Sequence, residues 1–248
     1  MAKKRIAILG DSWAHGEWSV VGNSSVVTHP GLSYFLMKEF EGNGIDIINF
    51  GIPGGENLYQ LDRLNSISDG KPIYSYFDCI ICFWTNPGRD VYNNIKDESD
   101  EYLEKFTLDE YERLCHKANR NYLHALDKYD IPVLLIGGQV SIPEIPSNIK
   151  NCVPLIPRVA NLVPDPLWDH INLKSVEGEL TNLIEYDMLS MIPKEKLQPS
   201  VVKENRLKEE DRAFLNYNFF NDLGHANRHL HQLVSVIISQ FIKERKWW

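Results

Sequence analysis

Arg5-Ile6-Ala7-Ile8-Leu9-Gly10-Asp11-Ser12 is a short apolar run that stops at Gly-Asp-Ser. Bounded in this way, it reads as a buried strand whose far end delivers a serine to the rim of a sheet. Downstream, Pro30 to Glu41 places Leu32, Phe35, Leu36 and Phe40 on one helical face. Ile45 to Phe50 is a second strand, broken by Gly51-Ile52-Pro53-Gly54-Gly55, and Leu58, Leu61, Leu64 and Ile67 follow at helical spacing. Phe77 to Trp84 is a third strand, Leu108 to Tyr129 a helix, and Ile131 to Ile136 a fourth strand. Such alternation predicts an α/β fold, a three-layer α/β/α sandwich around a parallel sheet of about five strands, because parallel crossovers need long connections. Ligands of open sheets bind beyond the carboxyl ends of the strands, so the loops after Leu9, Phe50 and Trp84 are expected to converge on one site.

Six of the 13 prolines fall between Pro143 and Pro166. They exclude a long helix there and predict an extended, irregular insertion around 138–170 within a single domain spanning 1–248. Helical signals return at Val176 to Met191 and Val201 to Tyr217. The last helix is marked by Leu230, Leu233, Val234, Ile237, Ile238 and Phe241. It is expected to pack on the sheet near the first strand, and it begins just after Asp222-Leu223-Gly224-His225.

The chain has 248 residues, 43% of them hydrophobic and 24% charged, which places it among globular proteins. A net charge of −8, with basic residues scattered along the chain, argues against a nucleic-acid partner. No stretch approaches the roughly 20 apolar residues of a membrane span. Gly10-Asp11 also interrupts the apolar run that follows Lys3-Lys4-Arg5, so the expectation is a cytoplasmic or otherwise soluble protein without a signal peptide. Four cysteines are too few for a disulfide scaffold. Cys79 and Cys82 form a C-x-x-C pair inside a strand, where residues three apart face opposite sides, and this makes them core residues.

A serine hydroxyl is a poor nucleophile near neutral pH; it needs a base, and the base needs a partner that holds its tautomer. Asp222-x-x-His225 supplies both and is the only D-x-x-H match in the chain. Acyl transfer also needs donors for the oxygen that becomes negative, and the bare backbone of Asn49 to Gly54 and the amide of Asn86 offer them. His15 lacks a carboxylate at the D-x-x-H spacing, and Asp169-His170 are adjacent residues whose side chains would point apart in a strand. Neither G-x-S-x-G nor G-x-x-x-x-G-K-[ST] occurs, which removes the α/β-hydrolase elbow and the P-loop. Trp84 reads as core, and Trp13 as either core or the wall of a small acyl pocket.

Together these residues resemble the SGNH (GDSL) hydrolase family. Gly10-Asp11-Ser12 is similar to its first block, Asn49-x-Gly51-x-x-Gly54 to its second, Thr85-Asn86 to its third and Asp222-Leu223-Gly224-His225 to its last, in the family's order. The resemblance implies a flavodoxin-like sheet, Ser12 as nucleophile, His225 as general base and acid, and Asp222 as its orienting carboxylate. It also implies an oxyanion hole made by the amides of Ser12 and Gly54 with the Asn86 side chain, and no metal or organic cofactor. The implied activity is hydrolysis of a small-molecule or carbohydrate ester, with O-acetyl carbohydrates as the expected substrates. Lipid esters or thioesters are the alternative, and a non-catalytic module that retains the fold is the reading from a different class. The family's third block usually reads G-x-N-D, whereas this chain has Trp84-Thr85-Asn86-Pro87, and the proline biases Asn86 toward an extended backbone.

Overall fold

The computed structural model describes residues 3–21, 24–95, 98, 107–138, 140–162 and 226–245. Five strands form a parallel sheet: β1 (Lys4–Leu9), β4 (Ile45–Asn49), β7 (Cys79–Trp84), β8 (Val133–Gly137) and β9 (Cys152–Ile156), in the order β4-β1-β7-β8-β9. In sheet-strand terms this is 2-1-3-4-5, the flavodoxin-like order, with its switch point between β1 and β7. Every residue of β7 and β8 is buried, as expected for strands covered on both faces.

Alternation along the strands divides the core into two layers. Ile6, Ile8, Cys79, Ile81, Phe83, Leu134 and Ile136 pack with Leu32 and Leu36 of α2 (Leu32–Glu39) and with Leu230, Val234 and Ile238 of α6 (Arg228–Arg245). Ala7, Leu9, Ile80, Cys82, Trp84, Val133 and Leu135 pack with Leu61 and Leu64 of α3 (Asn57–Asn65) and with Tyr122, Leu123 and Leu126 of α5 (Leu108–Asp127). Each buried Leu or Ile contributes about 1.5–3 kcal/mol. The last helix thus shares a core layer with β1, as its apolar stripe predicts. Cys79 and Cys82 fall in opposite layers, and burial pushes the Cys82 thiol up to about 12. All four cysteines are buried.

The stretch 138–170 is not wholly irregular, because Cys152–Ile156 is the fifth strand. Pro154 is tolerated because β9 is an edge strand, where a missing N–H need not break a ladder. The Asp127 carboxylate accepts from the N–H groups of Lys150 and Asn151, both at 2.7 Å, and so ties the entry of β9 to the end of α5.

The helix predicted from Leu58 to Ile67 stops at Asn65, and Ile67 is 68% exposed. Asp69 and Gly70, at φ of 50° and 77°, turn a small hairpin of β5 (Ile67–Ser68) and β6 (Lys71–Pro72), and Asp-Gly is a strong type I′ turn pair. A second hairpin, β2 (Glu17–Val21) with β3 (Ser24–His29), lies between β1 and α2. Among the described residues no helix is long and apolar enough to cross a membrane. The helical signals at Val176 to Met191 and Val201 to Tyr217 lie outside the described residues.

Candidate active site

The turn after β1 is held from several sides. Gly10 lies where an added Cβ would come within 2.5 Å of the Ala14 Cβ and 2.7 Å of the Phe83 Cβ, so only glycine passes between β7 and the short helix α1 (Ser12–His15). Asp11 caps α1: its Oδ1 accepts the Trp13 N–H at 2.9 Å, and its carbonyl accepts from Ala14 and His15 at 3.1 Å. Ser12 opens that helix and is 8% exposed. The Trp18 indole N–H donates to the Ser12 carbonyl at 3.0 Å.

The loop after β4 binds this turn directly. Asn49 Nδ2 donates to the Ala14 carbonyl at 2.8 Å, its Oδ1 accepts from the Gly51 N–H at 2.8 Å, and the Ile52 N–H donates to the Gly10 carbonyl at 3.0 Å. Ile52 to Gly55 closes with a 2.9 Å bond from the Gly55 N–H to the Ile52 carbonyl, with Pro53 second and Gly54 third at φ 68°. That is the residue pattern of a type II turn, whose third position favours glycine. Gly54 is exposed at its tip, with open space where a Cβ would stand.

After β7, Asn86 caps α4 (Pro87–Ile95): its Oδ1 accepts the Gly88 N–H at 2.8 Å, and its carbonyl accepts the Arg89 N–H at 3.1 Å. Pro87 therefore occupies the first helical position, where a missing N–H costs nothing, and the extended bias it places on Asn86 is the backbone a cap requires. The departure from G-x-N-D thus builds a helix start. Asn86 is 4% exposed, and with Oδ1 committed its Nδ2 is a buried donor without a hydrogen-bond partner among the described residues.

Two further contacts brace the loops. Arg89 Nη1 donates to Asp11 Oδ2 at 2.8 Å. Asn57 Nδ2 donates to the Thr85 carbonyl at 3.2 Å and to Asp90 Oδ2 at 3.1 Å, while Asp90 Oδ1 accepts the Leu58 N–H at 2.9 Å. Desolvation pushes the buried Asp90 carboxyl up to about 6, against the hydrogen bonds from Leu58 and Asn57. Folding raises this pKa, so the folded chain holds the proton more tightly than the unfolded one. The associated stability is present below the ordinary carboxylate pKa and is lost as pH rises through about 6. The shift from 3.8 to about 6 corresponds to on the order of 3 kcal/mol. Asp90→Asn is expected to flatten this slope: urea midpoints recorded from pH 4 to 7 fall more steeply in the wild type, and equal slopes would remove Asp90 from that role.

Of the residues singled out from the sequence, Ser12, Gly54 and Asn86 sit on three strand-end loops at the β1/β7 switch point and are linked by these bonds. Asp222, His225, Asp169 and His170 lie outside the described residues. Ala226, the residue after His225, is buried in the core layer that holds Trp13 and Ala14. Arg228 Nε pairs with Glu17 Oε2 at 3.0 Å, and a Cβ on Gly31 would lie 2.9 Å from the His231 ring and 3.0 Å from the Gly16 Cα. The start of α6 is therefore packed beside the end of α1.

The His15 Nδ1 is buried with no hydrogen-bond partner among the described residues, and burial lowers its pKa. Trp13 and Trp84 are both core. Arg89, Asp90 and Asn57 were not legible as site residues; the Asn-Pro pair at 86–87 was the available signal, since it marks a helix start that carries Arg89 and Asp90 into the site. Among the described residues no group of three or more His, Cys, Asp or Glu is gathered as a metal site.

The molecule is a three-layer α/β protein with a polar, cross-braced site at the switch point of a parallel sheet. It is similar to the lipase/acylhydrolase from Enterococcus faecalis, at 15% identity over 98% of this chain and 96% of that one, with a TM-score of 0.41. An acetylxylan esterase from Geobacillus stearothermophilus matches at 13% identity over 98% and 95%, with a TM-score of 0.39. An acetyl xylan esterase from the rumen bacterium Butyrivibrio proteoclasticus matches at 11% identity over 100% and 66%, with a TM-score of 0.48. No protein-family model matches the chain, and comparison with curated proteins finds no match.

Proposed function

We propose that this chain hydrolyses a carboxylic ester through an acyl-enzyme on Ser12. The observation that carries the proposal is the Asn86 amide, one end pinned by Gly88 and the other a buried donor with no partner among the described residues. Leaving such a group unsatisfied costs about 1–3 kcal/mol, and an oxyanion formed in the reaction would satisfy it. Ser12 Oγ attacks the ester carbonyl while His225, oriented by Asp222, takes its proton. The negative oxygen forms against the backbone amides of Ser12 and Gly54 and the Asn86 Nδ2. Collapse expels the alcohol, which takes the proton from His225, and a water activated by the same imidazole releases the acid. Burial of Ala226 in the Trp13 and Ala14 layer supports the pairing of His225 with Ser12.

The proposed substrate is a short acyl ester, in particular an O-acetyl group on a carbohydrate. The low exposure of Ser12, beside the buried Trp13, favours a small acyl group. The test is a fluorophosphonate probe combined with p-nitrophenyl esters of increasing chain length and a panel of acetylated sugars. Labelling at Ser12 with fastest turnover on acetyl esters is the expected result. Preference for long chains or thioesters would move the substrate to lipids or thioesters, and absence of labelling would leave a binding module. Asn86→Ala is expected to lower kcat by about 10²–10³-fold with little change in KM, because the amide acts on charge present only in the transition state. An unchanged kcat would remove Asn86 from the oxyanion hole.

A further inference from the structure

We propose that Arg89 is a positioning residue that couples the nucleophile turn to the Asn86 amide, an inference that rests on the ester-hydrolysis reading above. Asp11 is buried at 5% exposure, and with Oδ1 spent on the Trp13 N–H its Oδ2 is met by Arg89 Nη1 at 2.8 Å. The same Nη1 lies 3.4 Å from the Gly55 carbonyl, beside the turn that carries Gly54. Arg89 is also three residues past Asn86 and donates its own N–H to the Asn86 carbonyl. One residue therefore touches the Asp11 carboxylate, the Gly55 carbonyl and the Asn86 carbonyl, on the three loops that carry Ser12, Gly54 and Asn86.

Helix stability does not account for a cation at this place, because the first turn of a helix carries positive partial charge and favours anions. The ion pair serves the turn instead. A buried carboxylate stripped of its cation is strongly disfavoured, so without Arg89 the Asp11 turn would shift or admit water. A displacement of about 1 Å between nucleophile and oxyanion donor is enough to cost about 100-fold in rate. Arg89 acts through Asp11 and Gly55, so the effect falls on kcat more than on KM.

The experiment compares wild type, Arg89→Ala, Asp11→Asn and the double variant, reading kcat and KM on p-nitrophenyl acetate, the rate of fluorophosphonate labelling, and the melting temperature. An unlabelled, inactive wild type would overturn the ester-hydrolysis reading itself. With an active wild type, Arg89→Ala is expected to lose about 10- to 100-fold in kcat and labelling rate with KM changed less than about twofold. Guanidinium chloride below its denaturing range is expected to restore part of that loss. The double variant is expected to be no worse than the more damaged single one, since both remove the same link. A kcat within about twofold of wild type, or losses that add in the double variant without rescue, would overturn the role of Arg89. If Arg89→Ala does not fold, Asp11→Asn reads the same link while keeping an Oδ1 for the Trp13 N–H, and an unchanged kcat there overturns it equally.

Discussion

Ser12→Ala is expected to lower kcat on p-nitrophenyl acetate by about 10⁶-fold and to abolish fluorophosphonate labelling. The size of the effect follows from the chemistry: without the hydroxyl no acyl-enzyme forms, and only the oxyanion donors and substrate binding remain to assist water. That remainder is about 10³–10⁴ over the uncatalysed rate in a comparable triad enzyme. The variant should fold, because the contacts that shape the turn are made by Asp11, the Ser12 carbonyl, Asn49 and the Gly10 carbonyl. Melting temperature and circular dichroism serve as controls. Substantial turnover by Ser12→Ala, measured on protein purified apart from host esterases, would exclude the acyl-enzyme.

Asp222→Asn is expected to lower kcat by about 10⁴-fold with KM little changed. An amide at this position has nearly the shape of the carboxylate but donates as well as accepts. In the proposed triad it would stabilise the wrong imidazole tautomer and leave the imidazolium formed during attack without a counter-charge. The pH profile distinguishes this from simple unfolding: loss of the carboxylate weakens proton capture by His225, so some activity should return at high pH, where hydroxide replaces the general base. An Asp222→Asn enzyme with wild-type turnover would remove Asp222 from the triad and redirect the search to another carboxylate for His225.

The strands were legible because each is a continuous apolar run between turn residues: Ile6 to Leu9, Cys79 to Trp84 and Val133 to Gly137 match their predicted positions closely. The helices α2, α5 and α6 were legible from 3.6-residue periodicity. Ile67 misled because it continues the Leu58, Leu61, Leu64 spacing, and the Asp69-Gly70 turn overrides that pattern two residues later. β9 was concealed by Pro154, a residue that local rules exclude from central strands and that only an edge position accommodates. In the sequence Pro87 marks a departure from G-x-N-D and an extended bias at Asn86, and only the structure shows that the pair is a helix cap and the first residue of the helix.

Taken alone, the amino-acid order determined the β-α alternation, the two apolar faces of the sheet and the delivery of Gly10-Asp11-Ser12 to a strand end, because periodicity and turn chemistry act over a few neighbouring residues. Tertiary structure alone decided that Arg89 reaches Asp11 across 78 positions, that Asn57 and Asp90 join α3 to α4, and that the Asn86 amide is left with one buried donor unshared among the described residues. Those outcomes depend on how three loops pack against one another at the rim of the sheet. A hydrogen bond between residues so far apart has no local period to announce it.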